Sequence, residues 1–242
     1  MTIPDEAADR PVAGDLPRWP NVLVVVAHPD DESFGLGAVI DAFVSSVSTV
    51  SVLCLTSGEA STLGARPDLA QVRAGELVTA ARSLGVSHAT LCGWPDGGLA
   101  QIDSVAVQAD IVAAVAEDRP DGLVVFDPSG ITGHPDHRTA TRHATAVAAA
   151  AGLPVLAWTL PIDVAEQLNG EYGTAFVGHA DNEVDVRLRV TRQRQRQAIA
   201  AHRSQAVPGS VLWRRLDLLG DREVLRWVLP PTVTGPPVTP LG

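Results

Sequence analysis

The chain has little material for a covalent framework. It has two cysteines in 242 residues, Cys54 and Cys92, each inside a short apolar run where a small thiol packs like a hydrophobe. That argues against a disulfide scaffold and against a cysteine-based metal site. Its apolar runs, such as Val22 to Ala27 and the alanine-rich Ala144 to Leu153, fall short of the roughly 18 residues a membrane helix needs. Basic residues are few: 18 Lys and Arg stand against 28 Asp and Glu, a formal net charge of −10. No basic stripe is interleaved with aromatics, so neither nucleic acid nor a membrane is expected as a partner. The one basic cluster, Arg187 to Arg196, reads as the charged face of a solvated helix. Met1 to Pro20 lacks the basic and apolar regions of an export leader, and the expectation is cytoplasmic. Gly35-Leu36-Gly37 lacks the third glycine of a dinucleotide loop. Ser57 and Ser129 lack the strand-to-helix elbow that a nucleophilic serine needs.

What is present is a globular composition, 45% hydrophobic, enough for one core of ordinary size. Val22 to Val26 is a β-branched run that reads as a strand buried on both faces. A helix over Gly37 to Val47 and a strand over Val50 to Leu55 complete a βαβ unit. The alternation continues with helices over Leu69 to Leu84, Ser104 to Glu117 and Asp136 to Ala151, and strands over His88 to Cys92, Leu123 to Phe126 and Val155 to Trp158. This period specifies a Rossmann-like three-layer α/β/α fold with a mostly parallel sheet. From Pro161 onward lies a C-terminal elaboration: a short helix near Val164 to Leu168, weak strands near Thr174 to Val177 and Glu183 to Val186, and a long helix from Arg187 to about His202. The expected organisation is a flexible lead-in over 1–20, a single domain over 21–229, and a Pro-rich disordered tail over 230–242.

In such a sheet, ligands sit beyond the carboxyl ends of the strands. Two of the strand-exit loops are dense in His and Asp. The first, Ala27-His28-Pro29-Asp30-Asp31-Glu32, packs one imidazole and three carboxylates behind an apolar strand, a charge density that calls for a cation. The second, His134-Pro135-Asp136-His137, adds two imidazoles, with Asp136 placed to orient a ring by a hydrogen bond from behind. Alone, Asp-Asp-Glu could merely cap a helix, and His-Pro-Asp-His could be a helix start with Asp136 as the cap. Together, on two exits of one sheet, they point to a metal site. His and Asp donors suit zinc, whose catalytic sites use three protein ligands and keep one position for water. Asp30 and Asp31 are adjacent and point different ways, so one can hold a metal while the other remains a general base. Spacing does not say which.

These residues resemble the N-acetylglucosaminyl-phosphatidylinositol de-N-acetylase-like (LmbE-like) zinc hydrolases, a family that includes the mycothiol-pathway deacetylase and conjugate amidase. The resemblance runs from about Val22 to Gln205 and rests on the two His/Asp motifs. Weaker matches are Thr56-Ser-Gly-Glu59, Arg73-Ala-Gly-Glu76, Trp94-Pro-Asp-Gly97, Val184-Asp-Val186 and Ala201-His-Arg-Ser-Gln205. It implies that His28, Asp31 and His137 hold one zinc per chain, with another divalent metal such as Fe2+ as the alternative. It further implies that Asp30 is the general base and that His134 serves the oxyanion or the leaving amine. Arg73 and Asp96, with Glu59 nearby, would contact the substrate, and the alternative for Arg73 is a helix-surface position. His202 is expected to close the C-terminal helix onto the core. Some members carry a tyrosine where this chain has Thr132, which is too short to reach the same carbonyl.

The resemblance implies a hydrolase that removes an N-acetyl or other N-acyl group from an N-acetylglucosamine-type small-molecule conjugate. The alternatives are an amidase cleaving mycothiol-type thiol conjugates and a metal-binding module without turnover. A second, uncoordinated carboxylate at Asp30 argues against the last. Substrate identity and oligomeric state are left open by the sequence.

Overall fold

A computed structural model describes residues 15–232. The outer parts of the expected lead-in, 1–14, and tail, 233–242, lie outside the described residues. The first half of the chain alternates strand and helix: β1 Asn21–Val26, a one-turn α1 Asp31–Phe34, α2 Gly37–Ser45, β2 Thr49–Thr56, α3 Leu69–Leu84, β3 His88–Trp94, α4 Ser104–Asp118, β4 Gly122–Phe126 and α5 Pro135–Ala151. The second half holds β5 Val155–Pro161, α6 Ile162–Tyr172, the two-residue β6 Gly178–His179, β7 Val186–Arg189, α7 Gln193–Ala201, α8 Val211–Leu219 and β8 Arg222–Leu229. The strands form an eight-stranded sheet in the order β3-β2-β1-β4-β5-β8-β7, with β6 paired to β5 off this path.

Strands β3 through β5 in that order are mutually parallel, and β8 and β7 add antiparallel neighbours at one edge. The strand order reverses between β1 and β4, and there the loops after the two strands diverge to leave a crevice. Period-two geometry explains why β1 is apolar throughout. Val22, Val24 and Val26 pack into the layer of α2 and α3, whereas Leu23, Val25 and Ala27 pack beneath α4 and α5. Left-handed Gly85 and Gly152 end α3 and α5 as C-caps, each giving its N–H to a carbonyl of the last turn.

The second half corrects several sequence expectations. The helix expected from Arg187 is first a strand, because Val186-Arg187-Leu188-Arg189 alternates inward and outward along β7, and the helix begins only at Gln193. The Arg187 to Arg196 cluster is therefore not one solvated helical face: Arg192 is buried and pairs with buried Glu223 at 2.5 Å. The strand expected near Thr174 to Val177 is coil, and the one expected near Glu183 to Val186 begins only at Val186, after a 3-10 turn over Asp181–Glu183. Helix α8 and strand β8, which the sequence reading left unassigned, extend the sheet beyond β5. No helix among the described residues is long and apolar enough to cross a membrane.

Trp19 is buried, stacks on Phe43 at 5.9 Å and meets Trp227 edge-on. It lies so close over Gly122 that a Cβ there would sit 2.3 Å from the indole. Residues just before β1 are thus part of the core. Trp19→Ala should cost about 3–5 kcal/mol in chemical unfolding, and a loss below about 1 kcal/mol would remove Trp19 from the core.

Candidate active site

The crevice beyond β1 and β4 is a cavity of about 540 Å³, and both His/Asp loops line it. His28 follows β1 directly, and its two ring nitrogens face different partners. Nε2 lies 3.3 Å from an Asp136 oxygen and 3.0 Å from an Asp96 oxygen. Carboxylates accept only, so Nε2 carries a proton and Nδ1 is left with its lone pair. His137, in the first turn of α5, has Nδ1 at 3.2 Å from the Gly130 carbonyl. A carbonyl likewise only accepts, which leaves the lone pair on Nε2. These two lone pairs face each other, His28 Nδ1 to His137 Nε2, at 3.1 Å.

Asp31 closes the triangle. Its Oδ1 is 3.2 Å from His137 Nε2 and its Oδ2 is 3.5 Å from His28 Nδ1. The Ala27 and His28 amides donate to Oδ2 and fix the carboxylate. Three acceptors at 3.1 to 3.5 Å repel unless a cation lies between them. Tetrahedral zinc with bonds of about 2.0–2.1 Å has ligand-to-ligand edges of about 3.3–3.4 Å, so the donor set fits such an ion. Without a metal only a proton can serve, and the His28 pKa shows the demand: burial lowers it, but Asp136, Asp31 and Asp96 override burial and raise it to about 12. Burial opposes ionisation of Asp31 as well, yet His137 and His28 hold its carboxyl well below the usual range.

Asp30 stands apart from that triangle. Its backbone is left-handed at φ 131°, a costly state for a residue with a Cβ, and this turns its side chain away from that of Asp31. Arg73, reaching from α3, holds it there: Nη2 is 3.0 Å from the Asp30 carboxylate, and the guanidinium also donates to the Pro29 and Gly58 carbonyls. Arg73 is buried, so the helix-surface alternative is corrected. Burial raises the Asp30 carboxyl, Arg73 pulls it back, Asp31 raises it again, and it stands at about 6.

His134 caps α5, its Nδ1 accepting the Asp136 amide at 3.2 Å. Asp136 is therefore not the cap. Its carboxylate instead accepts the Gly97 and Leu99 amides and orients His28, a ring on the other loop. With Nδ1 an acceptor, His134 carries its proton on Nε2. Burial and the neighbouring charges of His137 and His28 lower its pKa, favouring the neutral N–H donor. Its ring centre is 4.8 Å from those of both His28 and His137, and the three imidazoles form one candidate metal-holding group. A second group, His28 with Asp96 and Asp136, faces the protonated side of His28, and Asp136 is already satisfied by amides.

Asp96 lines the cavity, and its amide donates to Glu59, whose exposed side chain stands at the rim supporting that loop. Behind the site, His202 meets Glu32 at 2.7 Å with both side chains fully buried, the expected closure of α7 onto the core. The far wall, formed by Phe34, Phe126, Trp158, Phe176 and Arg215, lies outside the sequence motifs. Nothing in the local pattern around Trp158 or Arg215 signals a site, because the strand order and α8 bring them there.

A scan against family models matches residues 23–149, just over half of the chain, to PIG-L, the GlcNAc-PI de-N-acetylase family. Among curated relatives, the 1D-myo-inositol 2-acetamido-2-deoxy-alpha-D-glucopyranoside deacetylase of Mycobacterium tuberculosis is 38% identical over 143 residues, 49% of this chain and 47% of that protein. The chain thus spans about half the length of the curated relatives it matches. Among solved structures, the N,N'-diacetylchitobiose deacetylase from Pyrococcus horikoshii has a TM-score of 0.64 at 21% identity, covering 88% of this chain and 85% of that one. The 4-carboxy-2-hydroxymuconate hydratase GalB from Pseudomonas putida also has a TM-score of 0.64, at 18% identity, over 89% and 99%. Those likenesses show the fold alone.

The His202–Glu32 pair yields a stability prediction. Burial opposes the charge on His202, but Glu32 raises its pKa. The pair's contribution is therefore complete below the ordinary histidine value of about 6.5 and fades as pH rises through the raised value. Glu32→Gln should cost about 3–5 kcal/mol near pH 6 and less in alkaline solution, measured by urea unfolding across pH. A cost that grows with pH would contradict the assignment.

Proposed function

The chain belongs to the PIG-L, GlcNAc-PI de-N-acetylase, family, and from that premise we propose that it is a metal-dependent hydrolase removing the N-acetyl group from an N-acetylglucosamine-type small-molecule conjugate. The observation that carries the proposal is the triangle of His28, Asp31 and His137 acceptors with Asp30 held beside it, uncoordinated and anchored by Arg73. A mere metal-binding module has no use for that anchored carboxylate. In this reading the three residues hold one zinc, and residues 21–229, with Trp19 packed onto them, form one catalytic domain.

Zinc, when bound there, supplies a Lewis acid that activates water and polarises an amide carbonyl. Asp30 takes the proton of the attacking water, and its carboxyl near 6 suits a base working close to neutrality. Arg73 positions that base. His134 Nε2–H faces the same space and can donate to the oxyanion of the tetrahedral intermediate, a role Thr132 is too short to share. Asp136 keeps the proton on His28 Nε2 and so keeps Nδ1 available. Asp96 and the Ala60 and Gly97 region give a polar wall suited to sugar hydroxyls. A net charge of −10 supports a small-molecule substrate over nucleic acid. Two free cysteines are in keeping with a reducing, cytoplasmic compartment.

The test measures zinc content and acetate release from N-acetylglucosamine conjugates. Asp30→Ala should keep its zinc and lose about 10²- to 10⁴-fold in kcat, whereas His137→Ala should lose the metal itself. Full activity in Asp30→Ala would remove the base, and wild-type protein that binds no stoichiometric metal would overturn the whole reading.

A pH profile adds a second prediction. A base raised to about 6 is carboxylate above that value and protonated below it, so kcat/KM should fall on the acid side of a limb at about 6 or lower, the metal's charge adding a downward pull. Arg73→Met removes the cation that lowers Asp30 and should move this limb to higher pH with zinc retained. An unmoved limb would separate Arg73 from the base.

A further inference from the structure

Arg215 is the one strongly polar group on the aromatic wall of the cavity. It is supplied by α8, outside the region matched by the family model. More than nine-tenths of the residue is buried, its guanidinium carbon sits 5.2 Å above the Trp158 ring, and it lines the cavity. Its only hydrogen bond among the described residues runs from Nη2 to the Phe34 carbonyl. Nε is buried without a partner, and no carboxylate among the described residues lies within ion-pair distance.

The carboxylate that acts most strongly on it is already spent: Glu223 binds Arg192 at 2.5 Å and the Trp158 indole N–H at 2.7 Å. Two guanidinium groups thus share a corner with one carboxylate. A buried cation without hydrogen bonds to most of its donors is costly. Burial lowers this guanidinium only to about 10, so it is charged at neutral pH. The aromatic wall also runs continuously to the reaction centre, Trp158 to Phe126 at 5.3 Å and Phe126 to His137 at 4.9 Å. Asp30, Asp31 and Asp96 line the same cavity; Asp31 and Asp30 act on the guanidinium through space, but none of the three is hydrogen-bonded to it.

We propose that Arg215 is an anion subsite at the aromatic end of the cavity, so that the substrate carries a carboxylate or phosphate group in addition to its scissile amide. The inference rests on the hydrolase reading above and narrows its substrate class. An anion there would receive the free donors of a planar guanidinium, and Trp158, Phe126 and Phe34 would exclude water around the pair.

The experiment compares zinc-loaded wild type, Arg215→Met and Arg215→Lys on three substrates: N-acetylglucosamine, N-acetylglucosamine 1-phosphate and N-acetylmuramic acid. Wild type should favour at least one anionic substrate by tenfold or more in kcat/KM. Arg215→Met should lose at least tenfold more on that substrate than on the neutral one, chiefly through KM, and Arg215→Lys should restore part of the preference. Equal losses on all three would make Arg215 a general counter-ion or packing group, and no anionic preference in wild type would equally overturn the subsite. If Arg215→Met does not fold, Arg215→Gln, which keeps a polar side chain without the charge, decides: a ratio of anionic to neutral kcat/KM equal to wild type overturns the proposal. If wild type releases acetate from none of the three, the deacetylase reading fails, and Arg215 is judged by calorimetric binding of the same ligands. Anion-selective weakening of binding in the variants supports the subsite there. Binding that shows no anionic preference in wild type, or no binding at all, overturns it.

Discussion

Two imidazole lone pairs and a carboxylate oxygen, held face to face at little more than 3 Å, are the constraint around which this protein is built. Acceptors do not assemble spontaneously at that distance, because each sheds water and gains only repulsion. They stay because hydrogen bonds from behind fix each one: Asp136 on His28, the Gly130 carbonyl on His137, and two backbone amides on Asp31. Each of these partners belongs to a loop leaving the carboxyl end of a sheet strand or to the turn that begins the next helix. The parallel order of β2, β1 and β4 is what brings the loops together, so the electrostatics of the site and the topology of the sheet are one requirement met twice.

The same constraint explains the strained backbone at Asp30. Two neighbouring carboxylates can serve different ends only if the chain turns sharply between them, and a left-handed residue achieves that turn at a cost of about 1–3 kcal/mol. Arg73 compensates by binding the Asp30 side chain and the carbonyls on both sides of the cavity mouth. Glu32, next along the chain, is then drawn inward to His202, which ties α7 to the start of α1. A run of three acidic residues, improbable in a hydrophobic setting, thus resolves into one carboxylate held by Arg73, one facing the His28 and His137 rings, and one anchored on His202.

These placements were legible in the sequence to different depths. His28, Asp30, Asp31, His134 and His137 could be picked out because each loop concentrates its chemistry within six residues after an apolar strand, and such loops converge in any parallel sheet. The direction of Asp136 was not legible, since its partner His28 is 108 residues away and the capping role it resembles belongs to His134. Arg73 could be read either as a substrate contact or as a helix-surface residue, because the Pro29 and Gly58 carbonyls and the Asp30 carboxylate that bury it lie 44, 15 and 43 residues away in the chain. The Arg187 to Arg196 stretch misled for another reason: the repeated Gln-Arg of α7 has helical propensity, and its apparent period extended backward over the four residues of β7, where alternation was too short to stand out.

The C-terminal elaboration is where this chain acquires features that the two metal-type motifs do not determine. Strand β8 runs antiparallel to β5 and buries Glu223 beside the Trp158 indole. Helix α8, packed through Leu212 and Leu216, carries Arg215 to the same indole from the cavity side. Had Glu223 paired with Arg215, the corner would be electrically closed and the wall inert. Arg192 takes that carboxylate instead, through a contact that exists only because the chain leaves β7 at Val190 and turns into α7. The arrangement leaves one guanidinium facing the cavity. The cavity therefore holds the carboxylates of the two His/Asp loops together with one guanidinium set against an aromatic ring. Under the proposed anion subsite, a ligand carrying a carboxylate or phosphate would complete the hydrogen bonding of that guanidinium, whereas a neutral ligand would leave its donors as they are.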